Sequence, residues 1–183
     1  MKTKMMKHAA RHSLTTLLLA LTAATAVHSA PANEKDNKTV KEATVVQPET
    51  DGSLILCPDA VNFRTDAPGG TPKVMSNGQR TIAWSEPQDW IFWKIKIPAK
   101  GTYNVTATYC SPRDGREISI GISGGQTIAF EPEISDSWDD PKTSEAGKLT
   151  FDKEGEYELS IRPKDVNNWR GLDIYKVVLK ATK

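Results

Sequence analysis

Histidine is missing from all but the start of this chain. The three histidines are His8, His12 and His28. Beyond them there is none, which excludes Ser-His-Asp and Cys-His catalysis and removes the commonest transition-metal ligand. Cysteine is scarce too, with Cys57 and Cys110 alone. Long apolar runs are absent after the first thirty residues, so no later segment is expected to span a bilayer. No window carries a helical period. An excess of positive charge is also lacking. The whole chain has 24 basic and 23 acidic residues, and four of the basic ones fall in the first thirty residues with no acid beside them. The remainder holds 20 basic against 23 acidic residues, a net charge of −3. A mildly acidic body is a poor partner for nucleic acid.

What is present begins with an address. Lys2, Lys4, Lys7 and Arg11 form a basic region, and Leu17 to Leu21 an apolar one. Ala24-Thr25-Ala26 and Val27-His28-Ser29 then offer small-residue cleavage signals. Residues 1–30 therefore read as a secretory signal peptide, and the protein is expected to be exported, to the periplasm or the medium. Residues 31–50 are polar, mixed in charge and poor in large apolar groups, the composition of a disordered linker. Residues 51–183 are the right size for one domain.

The centre of that domain is the stretch from Trp84 to Tyr109. Ile91, Trp93, Ile95 and Ile97 alternate with Phe92, Lys94 and Lys96. After Pro98-Ala99-Lys100-Gly101 the alternation resumes, with Tyr103, Val105, Ala107 and Tyr109 on one face. Period-two patterning on both sides of a turn predicts two half-buried strands joined as a hairpin, with a second sheet covering them. Further short strands are expected near Ser53–Cys57, Ala60–Phe63, Thr81–Trp84, Arg116–Ile122, Thr127–Phe130, Gly147–Phe151, Glu156–Ile161 and Leu172–Leu179. The stretches Asp66–Pro72 and Ser76–Gln79 read as loops, and Ser123–Gln126 as a hairpin turn. Many short strands broken by Gly, Pro and Asn predict an all-β antiparallel sandwich of the jelly-roll kind. Export makes a disulfide between Cys57 and Cys110 available; two buried free thiols on separate strands are the other reading, and sequence supplies no distance to choose between them.

Five tryptophans are unevenly placed. Trp93 shares the isoleucine face and belongs to the core, and Trp90 reads as structural. Trp84, Trp138 and Trp169 each sit in or beside polar loops. A large aromatic in such a loop is either a lid on the core or a ligand platform. A sugar ring has a flat C–H face and a rim of hydroxyls, so it suits an aromatic plate ringed by carboxylates and amides. Trp138 has Asp136, Asp139 and Asp140 nearby, and Trp169 has Asn167, Asn168, Arg170 and Asp173. The acidic loop from Asp136 to Asp140 matches no EF-hand spacing. Paired carboxylates of a glycosidase are a third reading of it, and a solvated loop a fourth.

The pattern Trp84-x-x-Pro87-x-Asp89-Trp90-x-x-Trp93, followed by Ile97-Pro98-x-x-Gly101-Thr102-Tyr103-x-Val105, resembles the non-catalytic carbohydrate-binding modules of the family 6 and family 35 type. The version appended to bacterial α-L-fucosidases and sulfatases is especially similar. The resemblance continues through Gly124-Gly125-Gln126, the Trp138 loop, Gly155-Glu156-Tyr157 and Leu172-Asp173-Ile174, over about residues 52 to 181. It implies a galactose-binding-domain-like β-sandwich, no catalysis, and a glycan or polysaccharide as partner. A secreted glycosidase or sulfatase would be a second partner. It also implies a sugar site in which a loop Trp, here Trp138, works with a polar residue opening the last strand. That residue is Asp173, where the family usually carries Asn. Trp84 or Trp169 would supply a second wall, and Asn168 and Asp136 further hydrogen bonds. The family's structural calcium uses an acidic pair near the first strand; Cys57-Pro58-Asp59 and Tyr175 depart from that set, so no cofactor is expected. An interaction module on the same sandwich, with the tryptophans as docking hot spots, is the alternative.

Overall fold

The computed structural model describes residues 43–65, 72–77, 79–114 and 116–183. The stretch read as a signal peptide, most of that read as a linker and the Asp66–Thr71 part of one expected loop lie outside them. Twelve strands follow in order: β1 (Val45–Val46), β2 (Leu54–Leu56), β3 (Asn62–Thr65), β4 (Lys73–Asn77), β5 (Gln79–Trp84), β6 (Asp89–Ile97), β7 (Gly101–Cys110), β8 (Ile118–Ile122), β9 (Thr127–Phe130), β10 (Lys142–Phe151), β11 (Gly155–Pro163) and β12 (Leu172–Ala181). One 3-10 turn, Pro58–Ala60, lies between β2 and β3.

The strands form two sheets. One runs β1-β6-β11-β8-β9, with β3 also paired to β6; the other runs β10-β7-β12-β5-β4, with β2 also paired to β12. All pairings are antiparallel except β1, which adds to β6 in parallel through Val45–Lys94 and Val46–Ile95. The folded body thus starts earlier than Asp51: two valines in the stretch read as linker have an edge to pair with. The expected all-β jelly-roll sandwich is what the chain forms.

The central stretch is built differently from its expected hairpin. β6 and β7 lie in different sheets. The Pro98–Lys100 bend carries the chain across the sandwich, and the Tyr103 hydroxyl pins it by donating to the Ala99 carbonyl at 2.8 Å. Both apolar faces still turn inward, because two such strands bury as much surface facing each other as lying side by side. The Lys153–Glu154 turn also changes sheets, taking β10 to β11. True hairpins occur at β8–β9, where Ile122 and Gln126 are bonded at 2.9 Å, and at β4–β5. In the latter, residues read as a loop continue the ladder as far as Asn77–Gln79.

Between the sheets lie Trp93, Ile91, Ile95, Val105, Leu149, Leu159, Ile161, Val177 and Leu179, all without solvent exposure. Trp93 also donates its indole N–H to the Cys57 carbonyl at 2.9 Å, so its polar atom is satisfied inside the core. Truncating it removes a large apolar side chain and leaves that carbonyl without its donor. Trp93→Ala is expected to cost about 3–5 kcal/mol of stability, read as a lowered urea midpoint at unchanged slope.

The two cysteines are free, and the disulfide reading is set aside. Cys110 ends β7 opposite Asp173 of β12, while Cys57 follows β2, which pairs β12 through Leu56–Val177. β12 therefore stands between them, and two strand spacings of about 4.8 Å exceed the reach of a disulfide. Burial raises both thiol pKa values and keeps them protonated and unreactive. Alkylation of unfolded but unreduced protein is expected to add two labels per chain in a mass spectrum; zero labels would mean a bridge.

Candidate functional site

The site is built on the sheet that contains β5 and β12, at the end where β5 finishes and β12 begins. Ile82, Trp84, Leu172 and Ile174 point into the core. Strand alternation then sends Ala83 and Asp173, which are paired neighbours, to the outer face. Lys73 of β4 lies opposite Ala83 and Cys110 of β7 opposite Asp173, so the four stand in one row across the sheet.

The loop between β9 and β10 folds over this row. Its base is tied down by polar contacts. Ser111 N–H donates to Ser135 Oγ at 2.8 Å, and Ser135 N–H donates back to the Ser111 carbonyl at 3.0 Å. Glu133 N–H donates to the Tyr109 hydroxyl at 2.8 Å. The guanidinium of Arg116, itself buried, donates from Nε to the Pro132 carbonyl. Further along, the Cys110 thiol donates to the Tyr175 hydroxyl, which donates in turn to the Trp138 carbonyl at 3.3 Å. Burial first, and then the Cys110 contact, push the Tyr175 pKa up to about 12, so its proton stays in place.

Trp138 rides on this anchored loop with 36% of its surface exposed. It borders a hollow of about 480 Å³, lined also by Trp84, Glu86, Arg113, Arg170 and Asp173, within the range of small-molecule sites. Trp138 also borders a smaller hollow of about 150 Å³ with Met75, Thr81, Asp139 and Tyr175; Ala83 and Asp173 belong to both. The Arg113 guanidinium lies 5.8 Å from the centre of the Trp138 ring. Trp90 is different: Arg162 covers it at 3.9 Å on the opposite sheet.

The other expected site residues divide. Trp84 lines the larger hollow but is only 2% exposed, its indole N–H bonded to the Glu86 carbonyl at 3.0 Å. Trp169 is buried at 6% and packs on Trp84, ring centres 4.6 Å apart. Gly171 closes this corner at φ +96°, where a side chain would press on the Trp84 carbonyl. Trp169 thus supports Trp84 from beneath and offers no face to a ligand. Asn168 and Asp136 are exposed and line neither hollow. Arg113, Lys73 and Glu86 have no counterpart among the expected site residues, and Arg170 was noted only as a neighbour of Trp169. They are scattered between residues 73 and 170, and no local pattern marks their convergence.

Among the described residues there is no group of three or more His, Cys, Asp or Glu placed to hold a metal ion. Among the described residues no helix is long and apolar enough to cross a membrane.

The sequence matches no protein-family model and no curated protein. The fold does have solved counterparts. The family 35 carbohydrate-binding module from Cellvibrio japonicus superposes with a TM-score of 0.57 at 17% identity, covering 72% of this chain and 94% of that one. The C-terminal family 6 module of a marine laminarinase from Zobellia galactanivorans gives 0.53 at 14% identity, over 70% and 98%. An exo-β-1,3-galactanase from Phanerochaete chrysosporium, solved with galactose, gives 0.55 at 11% identity over 69% of this chain; the match spans only 29% of that enzyme. The architecture is therefore that of family 6 and family 35 carbohydrate-binding modules, as the resemblance implied. At these identities the likeness is one of fold.

Asp173 is the unusual group of the site. Burial raises its pKa from 3.8 to about 6. The folded chain thus holds this proton more tightly than the unfolded chain. Above about pH 6 the folded state carries a poorly solvated charge, and stability returns as pH falls through 6 towards 4. Asp173→Asn is expected to melt about 2–4 °C higher than the parent at pH 8, with the gap closing at pH 4. An equal gap at both pH values would show that the carboxyl is not strained by burial.

Proposed function

We propose that this protein is an exported, non-catalytic carbohydrate-binding protein whose sugar stacks on Trp138 at one end of the β-sandwich. The observation that carries the reading is the half-exposed indole on a tied-down loop, beside a partly buried carboxyl and a hollow of small-molecule size. Trp138 is the plate, and Asp173 binds a hydroxyl at its edge. Trp84 forms the floor, itself held by Trp169. A raised pKa suits Asp173 to the position where the family usually has Asn. As a carboxylate it only accepts; near pH 6 half the molecules carry a proton and can donate as well. Asn168 and Asp136 line neither hollow and have no part in this reading.

The likeness to carbohydrate-binding modules supports this reading, and so does the basic and apolar start that reads as a signal peptide. The glycosidase reading would join Asp136 to Asp173, but only Asp173 lines the hollow. A glycosidase or sulfatase acting on the same glycan would be a separate partner. The interaction-module reading has a narrower footing, in Ile134, which shares the Trp138 loop and is 49% exposed.

Screening the purified chain against polysaccharides is expected to give at least one ligand, whose affinity falls tenfold or more in Trp138→Ala while the melting temperature holds. Equal binding by the variant, or no binding by either protein, would count against the proposal.

A further inference from the structure

The sheet that contains β6 and β11 carries a hollow of its own, away from Trp138. Ile91, Leu159, Ile161, Ile118 and Ile120 of this sheet point into the core. Strand alternation then turns Trp90, Phe92, Ser160, Arg162, Ser119 and Gly121 to the outer face. Phe92, Ser160, Gly121 and Thr127 stand in one row across β6, β11, β8 and β9, and Arg162 stands opposite Ser119 in the next. The small side chains of these rows floor a trough of about 280 Å³. Two arginines border it, each over an aromatic ring. Arg64 lies 4.1 Å from the centre of Phe92, and Arg162 lies 3.9 Å from the centre of Trp90. They differ in one respect. Arg64 also donates from both terminal nitrogens to the Glu158 carboxylate, at 2.6 and 2.9 Å. Arg162 has no ion pair and donates no hydrogen bond among the described residues. Glu158 is held by Arg64, and Glu117, two residues before Ser119, is held by Lys164. Under Arg162 the Trp90 indole N–H is enclosed and also lacks an acceptor.

From this unmatched pair of arginines we infer that the trough is a docking surface for an acidic polypeptide segment of a partner protein, with an Asp or Glu carboxylate taking on Arg162 the place that Glu158 takes on Arg64. A guanidinium is a planar fork whose geometry matches a carboxylate. One carboxylate balances the one free guanidinium, whereas a phosphate dianion would exceed it. A sugar ring finds no plate here, because Phe92 is only 7% exposed beneath Arg64 and Trp90 is covered by Arg162. The trough crosses β11, β8 and β9, two strand spacings or about 10 Å, which is the width of one extended chain. The hydroxyls of Ser119, Ser160 and Thr127 line it and can donate to or accept from peptide groups. The inference is independent of the sugar-binding reading, since the trough and the Trp138 hollows share no residue.

Fluorescence anisotropy on the full chain tests this with a labelled peptide of alternating serine and aspartate and its serine–asparagine twin. The aspartate peptide is expected to bind at least about tenfold more tightly than its twin, with the advantage falling as salt is raised. Ser119→Glu places an acid directly across from Arg162, so it should fill the fork, erase the advantage and leave the melting temperature equal or higher. Arg162→Gln should erase the advantage too, while Trp138→Ala should leave it intact. In a two-dimensional NMR titration the aspartate peptide should move the Trp90 indole signal and not that of Trp138. If the two peptides bind equally, if neither binds, or if Ser119→Glu binds the aspartate peptide as the parent does, the inference fails. Trigalacturonate serves as the glycan control. If it moves the Trp90 signal in an Arg162-dependent way and the aspartate peptide does not, the carboxylate comes from a glycan and the inference fails as well. Either failure leaves the sugar site at Trp138 untouched.

Discussion

An exposed indole can act as a plate only if its backbone is held still, and here the holding is done by polar groups at the base of one loop. Ser111 and Ser135 exchange hydrogen bonds across two segments far apart in sequence. Tyr109 ends its core-facing run with a hydroxyl that receives Glu133 N–H, and Arg116 is buried against the Pro132 carbonyl. A buried polar group left alone is costly, so these contacts define one loop position instead of many. The Tyr175 hydroxyl adds a tie at the Trp138 carbonyl itself. The display of Trp138 follows from the sheet beneath it.

The same logic explains why the other four tryptophans do different work. Trp93 fills the core and finds a carbonyl for its N–H. Trp84 and Trp169 stack at the sheet's end, where the chain enters β12 through a glycine conformation that lets the backbones approach. Trp90 is covered by Arg162. Trp138 alone of the five is exposed and borders both hollows. One carboxyl, Asp173, is part of both hollows, and its raised pKa comes from the same enclosure that makes them sites.

Much of this was legible in the residues. Strict alternation from Ile91 to Ile97 and from Tyr103 to Tyr109 gave two inward faces, and those faces are inward. Alternation reports which side of a strand is buried, however, and not which sheet the strand joins. That is why the bend at Pro98 was read as a hairpin when it is a crossing. Composition made residues 45–46 look like linker, since two valines become a strand only when β6 offers its edge. Loop position placed Trp169 and Trp138 in one class; packing separated them, because Trp84 lay within reach of the first and not of the second. The cations of the larger hollow, Lys73, Arg113 and Arg170, come from three regions of the chain, and only the fold assembles them.

The most direct test of the central claim is a titration followed through the five indole N–H signals in a two-dimensional NMR spectrum, with Trp138→Phe used to assign its peak. A binding saccharide is predicted to move the Trp138 signal most, Trp84 less, and Trp90 and Trp93 hardly at all. A binding saccharide that leaves Trp138 in place while shifting Trp90 would put the sugar on the other sheet and contradict the account.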